Sequence, residues 1–166
     1  MDIRKIGVMD PVPASVLIIE SHPLLREALC AAVAEEPDLN VIMKAANGTE
    51  ALQFLNCLSP DIILFAMDNP GTHELATLKS LLQALPEIPI LAFITNEVAG
   101  QGQAALEAGA HAVLSEAVTR AELITALREL RMKTSKETYT SQHAEVNEEI
   151  LTPGHSRNLP DEKSVC

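Results

Sequence analysis

Apolar residues gather into five short runs, at 16–19, 41–43, 62–65, 90–94 and 112–114. Several are continuously apolar rather than alternating, which is what strands buried on both faces of a parallel sheet require. Between them lie segments of helical length at 24–34, 51–58, 75–85, 99–108 and 123–131. Pro23 sits in the first turn of the first segment. Asn47-Gly-Thr-Glu50 and Thr119-Arg-Ala-Glu122 have capping-box spacing ahead of the second and the fifth. Strand and helix alternate five times, which predicts an α/β fold: a three-layer (βα)5 sandwich around a parallel five-stranded sheet.

Such a sheet collects its ligands at the carboxyl ends of the strands. Glu20 and Ser21 end the first strand, Ala66 the third and Ile94 the fourth, while Glu116 follows the fifth. These five residues are expected to surround one pocket. The folded unit is predicted over 15–131, behind an N-terminal extension at 1–14. From 132 to 166 the helical period stops and Ser, Thr, Glu, Asn and Pro dominate, so this stretch is expected to be a flexible tail.

Composition narrows the function classes. The 166 residues are 47% hydrophobic, enough for one domain with a sizeable core, and only 2% aromatic with no Trp, so stacking platforms for single-stranded nucleic acid are missing. A formal charge of −11 repels phosphate backbones, and direct nucleic-acid binding by this chain is not expected. Cys30, Cys57 and Cys166 form no C-x-x-C pair, as suits a reducing compartment, and offer neither a disulfide framework nor a zinc site. No run has signal-peptide character or approaches the roughly 20 apolar residues of a membrane helix. A soluble, cytoplasmic protein is the expectation.

The run Glu20-Ser21-His22-Pro23-Leu24-Leu25-Arg26 resembles the opening of a NarL/FixJ-type receiver domain of two-component response regulators. There, two acidic residues precede a His-Pro-Leu-x-Arg segment. Ser59-Pro60-Asp61, Asn69-Pro70-Gly71 and Ala105-Leu106-Glu107-Ala108-Gly109-Ala110 continue the likeness in order and spacing. The resemblance implies the flavodoxin-like strand order 2-1-3-4-5 and a site where an aspartate attacks a phosphoryl group beside Mg²⁺.

The chemistry-bearing positions depart from that pattern. Ala66 stands where the family carries the phosphate-accepting aspartate. Ser21 replaces the second acidic residue, the one expected to touch metal. Ile94 stands where a Ser or Thr ends the fourth strand, with Thr95 adjacent as the equivalent if the turn is shifted. Glu116 takes the place of a lysine that holds the phosphoryl group, and a carboxylate there repels it. The resemblance therefore implies a pseudo-receiver: no enzyme, no cofactor and no metal site, acting by protein–protein contact, including homodimerisation.

Other readings bear on single residues. Asp68, two positions beyond Ala66, is the alternative phosphate acceptor, but it falls in the turn toward Pro70 and lacks the partner lysine. Asp61 begins the same strand at the opposite end of the sheet. Glu20 and Glu116 facing each other in an emptied pocket would make a residual cation or proton sensor, against the plainer reading of two solvated carboxylates. His22 fits structural punctuation better than a pH-sensitive group. Leu123, Ile124, Leu127 and Leu130 form a helical stripe that serves either as the face packed on the sheet or as an interface. Glu149-Ile-Leu-Thr-Pro153 resembles the start of a LuxR-type helix-turn-helix domain, and the match then stops. Two alternatives to a protein-binding module follow: a small-ligand sensor using the vacated crevice, and the remnant of a DNA-binding transcriptional regulator.

Overall fold

A computed structural model describes residues 12–68, 71–96 and 99–145. Five strands and five helices alternate: β1 (Ala14–Ile19), α1 (Pro23–Ala34), β2 (Leu39–Ala45), α2 (Gly48–Phe54), β3 (Ile62–Met67), α3 (Thr72–Ala84), β4 (Ile90–Ile94), α4 (Gln101–Glu107), β5 (Ala112–Ser115) and α5 (Arg120–Glu145). The strands form one parallel sheet in the order β2-β1-β3-β4-β5. Fold class and strand order are as expected.

Alternation along the central strands divides the core in two. Val16 and Ile18 of β1, Ile62, Leu64 and Ala66 of β3, and Leu91 and Phe93 of β4 face α1 and α5. Leu17, Ile19, Ile63, Phe65, Met67, Ala92 and Ile94 face α2, α3 and α4. Every residue of β3 is buried, so a one-residue slip would exchange the two layers wholesale.

β2 shows one irregularity that the apolar pattern does not reveal. Val41 pairs with Val16 and Met43 with Leu17, leaving Ile42 as an extra residue opposite β1. The bulge explains why Val41 packs with the α1–α5 layer and Met43, two residues on, with the opposite one. It also kinks an edge strand, which disfavours pairing with a foreign strand.

Helix ends follow their caps. Asn47 Oδ1 accepts the Glu50 N–H at 2.9 Å, and Glu50 Oε2 accepts the Ala46 N–H at 2.6 Å, so α2 starts three residues earlier than its apolar pattern. Thr119 and Glu122 bond reciprocally, at 2.7 Å from the Thr119 N–H and 3.3 Å from the Glu122 N–H. Gly109 turns the chain into β5 with φ +112, and a Cβ there would lie 2.7 Å from Leu82 Cδ1.

Of the two readings of Leu123, Ile124, Leu127 and Leu130, the face packed on the sheet is the one observed: all four are buried in the α1–α5 layer, so as interface candidates they are corrected. A second expectation also needs correction. The tail expected from 132 is helical for its first part, because α5 continues to Glu145. No Gly or Pro interrupts residues 120–145, and Lys133, Lys136, Glu137, Gln142, Ala144 and Glu145 favour a helix after its apolar stripe has ended, although Thr and Ser are interspersed among them. The helix-turn-helix resemblance at 149–153 lies outside the described residues, as does most of the 1–14 extension. No helix among the described residues is long and apolar enough to cross a membrane.

An ion-pair network holds the α1–β2 turn to α5. Arg120 meets Glu35 and Glu36, while Arg128 reaches Glu36 at 2.8 Å and Asp38 at 2.6 Å. Hydrogen bonding to the Arg128 guanidinium holds the Asp38 carboxyl below its ordinary range. A depressed carboxylate stabilises the fold above its unfolded-state value and ceases to do so as pH falls through the folded-state value. Arg128→Ala should therefore lower stability at neutral pH by up to about 1 kcal/mol, as screened surface pairs do. Urea denaturation at a series of pH values should show that deficit shrinking below about pH 4.

Candidate functional site

The turn after β1 is satisfied from within. Glu20 is 2% exposed, the one buried charged residue among those described, and its Oε1 accepts the His22 backbone N–H at 2.6 Å. His22 Nδ1 lies 3.2 Å from the same oxygen and 3.3 Å from Ser21 Oγ. Arg26, one turn into α1, donates from Nη1 to the Glu20 carbonyl at 2.6 Å and to the Ser21 carbonyl at 3.4 Å. Carboxylate, imidazole and hydroxyl thus stand together without forming a relay. Both partners meet the same ring nitrogen, whereas proton shuttling to a serine needs the two nitrogens at opposite ends of the chain of bonds.

The β3 and β4 ends obey strand parity. Ala66, 7% exposed, lies on the α1–α5 side, and Met67 on the other. Ile94 pairs with Met67 and is 1% exposed in the same layer, so it is a core residue. The hydroxyl that reaches the carboxyl edge belongs to Thr95. Its Oγ1 donates to Asp68 Oδ1 at 3.2 Å, with the Met67 carbonyl at 3.4 Å, while its N–H donates to that carbonyl at 3.0 Å. Asp68 is exposed, and its N–H donates to Glu74 Oε1 at 3.2 Å. At the far edge of β3, Asp61 Oδ2 accepts from the Ser15 N–H at 2.7 Å and hydroxyl at 2.8 Å, a structural tie between β1 and β3.

The five residues expected around one pocket do not all converge. Ser21 and Ala66 line a cleft of about 170 Å³ at the carboxyl ends of β1 and β3. Glu20 is turned into its own loop, Ile94 into the core, and Glu116 is exposed beyond β5, bonded through its N–H to the Ile94 carbonyl at 2.9 Å. The other polar walls are Asn47 before α2 and His73, Glu74 and Thr77 on α3. Sequence reasoning missed these four. Asn47 had been assigned a capping role only, which it does fill, and the first turn of α3 carries no motif that sets it apart. Gly48 closes the cleft by close approach, since a Cβ there would lie 2.1 Å from Thr77 Cγ2.

The Mg²⁺ that the resemblance implies does not fit this edge. Such an ion needs several oxygen ligands in near-octahedral array, and the matching positions supply one engaged carboxylate, a neutral hydroxyl and a methyl group. Among the described residues no three His, Cys, Asp or Glu converge to hold a metal.

The Response regulator receiver domain profile matches residues 16–128. The nitrate/nitrite response regulator protein NarL of Escherichia coli (strain K12) is 30% identical over 117 residues, covering 70% of this chain and 54% of that one. The transcriptional regulatory protein LiaR of Bacillus subtilis (strain 168) is 32% identical over 116 residues, covering 68% and 54%. The chain spans about half the length of the curated relatives it matches. Among solved structures, a LuxR-family two-component response regulator from Aurantimonas sp. SI85-9A1 superposes with a TM-score of 0.66 at 24% identity, over 73% of this chain and 86% of that one. The signal receiver domain of the putative response regulator NarL from Mycobacterium tuberculosis gives 0.62 at 24%, over 74% and 98%. At these identities the likeness is one of fold.

The Glu20 contacts make a prediction about the loop. Glu20→Ala removes the buried carboxylate that accepts the part-buried His22 backbone N–H and should cost about 1 kcal/mol. His22→Ala keeps that bond and loses only a largely exposed ring, so it should cost well under half as much. Chemical denaturation of the two variants measures the difference, and equal losses would refute this account of the turn.

Proposed function

Since the chain belongs to the response regulator receiver family, a signalling module of two-component regulators, we propose that it does this work without taking up a phosphoryl group, through contact with protein partners. One observation carries the reading. The side chain at the carboxyl end of β3, where the family's acceptor aspartate is expected, is the methyl of Ala66. A methyl offers no nucleophile. The surroundings support it: the first-strand turn spends its carboxylate on its own backbone, and Glu116 follows β5 in place of a cation. A transferring phosphoryl group needs positive charge around it, and this edge supplies none in those places. Asp68 is an unsuitable substitute, because Glu74 stands against its backbone and adds negative charge where a phosphorylated carboxylate would gather more.

Incubation with Mg²⁺ and acetyl phosphate should give no acid-labile phosphoprotein, and beryllofluoride should leave the resonances of Ser21, Ala66 and Thr95 unmoved. Appearance of either signal would sink the proposal. Ala66→Asp alone should not restore efficient phosphorylation, because it returns neither the metal ligand at Ser21 nor the cation at Glu116.

The cleft itself favours a second reading as a small-ligand sensor. About 170 Å³ bounded by Ala66, Phe65 and Ile19 on one side and by Asn47, His73 and Glu74 on the other has the mixed lining of a site for a compact amphipathic molecule. A ligand bound only by the folded state must raise the melting temperature. A thermal-shift series with small-metabolite mixtures should then give a rise that Ala66→Leu, which fills the cleft, abolishes.

A further inference from the structure

We propose that His111 is a proton-sensitive clasp: its neutral ring pins the amino end of the edge strand β5 to β4, and protonation releases it. β5 is the outermost strand and pairs with β4 alone. Just ahead of β5, His111 meets Ile90, the first residue of β4, at two points. The His111 N–H donates to the Ile90 carbonyl at 2.9 Å, and the Ile90 N–H donates to His111 Nδ1 at 3.1 Å. The first is an ordinary bond of a parallel ladder. The second stands in for one. Continued regularly, the ladder would carry the Ile90 N–H to the carbonyl two residues before His111, that of Gly109, and there the chain is still leaving α4 through a turn at φ +112. The imidazole thus supplies the acceptor that the turned backbone withholds. Ile90 is a buried residue, and a strand N–H in such a place requires a partner.

The bond fixes the state of the ring. Nδ1 accepts a hydrogen bond only while it carries no proton, so the neutral ring holds its proton on Nε2. His111 is exposed, and no other hydrogen bond or ion pair engages its ring among the described residues. Once Nδ1 is protonated two N–H groups face each other, and the ring must turn into solvent and leave the Ile90 N–H without its acceptor. Imidazoles change charge between about pH 5 and 8. The clasp belongs to the neutral ring, so it is made at the upper end of that range and lost at the lower. The charged groups on the elements around this end of the sheet are Lys79 on α3, Glu87 before β4, Glu107 on α4, and Glu129, Arg131 and Lys133 on α5. Three are anionic and three cationic, so the acceptor bond is the specific difference between the two states of the ring. This end of the sheet lies opposite the cleft, and the clasp holds whether or not a phosphoryl group is taken up there.

Amide hydrogen exchange followed by NMR on the wild-type chain, His111→Asn and His111→Ala, at about pH 8 and about pH 5, tests the clasp. Asn sets an amide oxygen, an acceptor at either pH, where Nδ1 stands, and Ala offers none. Each Ile90 rate is divided by that of an unstructured amide at the same pH, because exchange is itself pH-dependent. Wild-type protection of Ile90 should fall about fivefold from the higher pH to the lower, the factor that one hydrogen bond of about 1 kcal/mol corresponds to. His111→Asn should keep its protection across the span, and His111→Ala should show the lowered value at both ends. Amides of β1 should behave alike in all three. In the wild type the Ile90 amide resonance should also move in step with the His111 ring resonances as pH is changed. A fall that His111→Asn shares, no fall at all, or an Ile90 resonance indifferent to the ring would overturn the proposal. Should His111→Ala fail to fold, wild type and His111→Asn carry the same test.

Discussion

Burial of the central strands on both faces is the constraint from which the rest follows. Every residue of β3 and β4 is buried, and β1 is nearly as enclosed. Each successive side chain must therefore commit to one layer or the other, and the commitment propagates to the strand ends. Ala66 and Met67 part in this way, as do Ile94 and Thr95. The chemistry available at the carboxyl edge is whatever parity and the first turn residues leave there. It consists of a methyl from β3, a hydroxyl from beyond β4, and a carboxylate that the β1 turn has already folded inward.

The same constraint explains what could be read from the sequence. Continuous apolar runs with helical spacers lead directly to a parallel sheet, and all five strands and five helices appear where those runs and spacers lie. Ends were legible where a cap stated them, as at Asn47 and Thr119. They were illegible where a helix runs on with no cap and no apolar stripe, as beyond Arg131, because the stripe marks only the part of α5 that touches the sheet. The bulge at Ile42 left no trace either. Val41, Ile42 and Met43 are all apolar, so a change of facing among them does not alter the pattern.

Site residues were legible to the extent that position along a strand decides them. Ala66 and Ser21 do line a common cleft, as their places at adjacent strand ends required. Glu20 did not join them. Its carboxylate finds the His22 N–H two residues on, a local bond that needs no partner from elsewhere in the fold. Ile94 was the residue obtained by counting, but a count along the chain ignores the face on which a side chain emerges. The structure assigns the edge hydroxyl to Thr95. The α3 residues His73 and Glu74 enter because helix packing against Gly48 brings them there, a tertiary fact with no local signature.

A buried carboxylate must be held by something, and Glu20 shows what its own turn supplies. Burying a charge without partners costs several kcal/mol, and the usual remedy is a bound cation or a direct ion pair. Here the turn supplies a short bond from a backbone N–H to the carboxylate, with an imidazole beside it. A guanidinium, on Arg26, is spent on the carbonyls of Glu20 and Ser21, closing the same turn from outside. Charge and loop are thereby stabilised by one set of local contacts. The turn's order is thus local in origin, whereas the helices take theirs from the sheet they pack on.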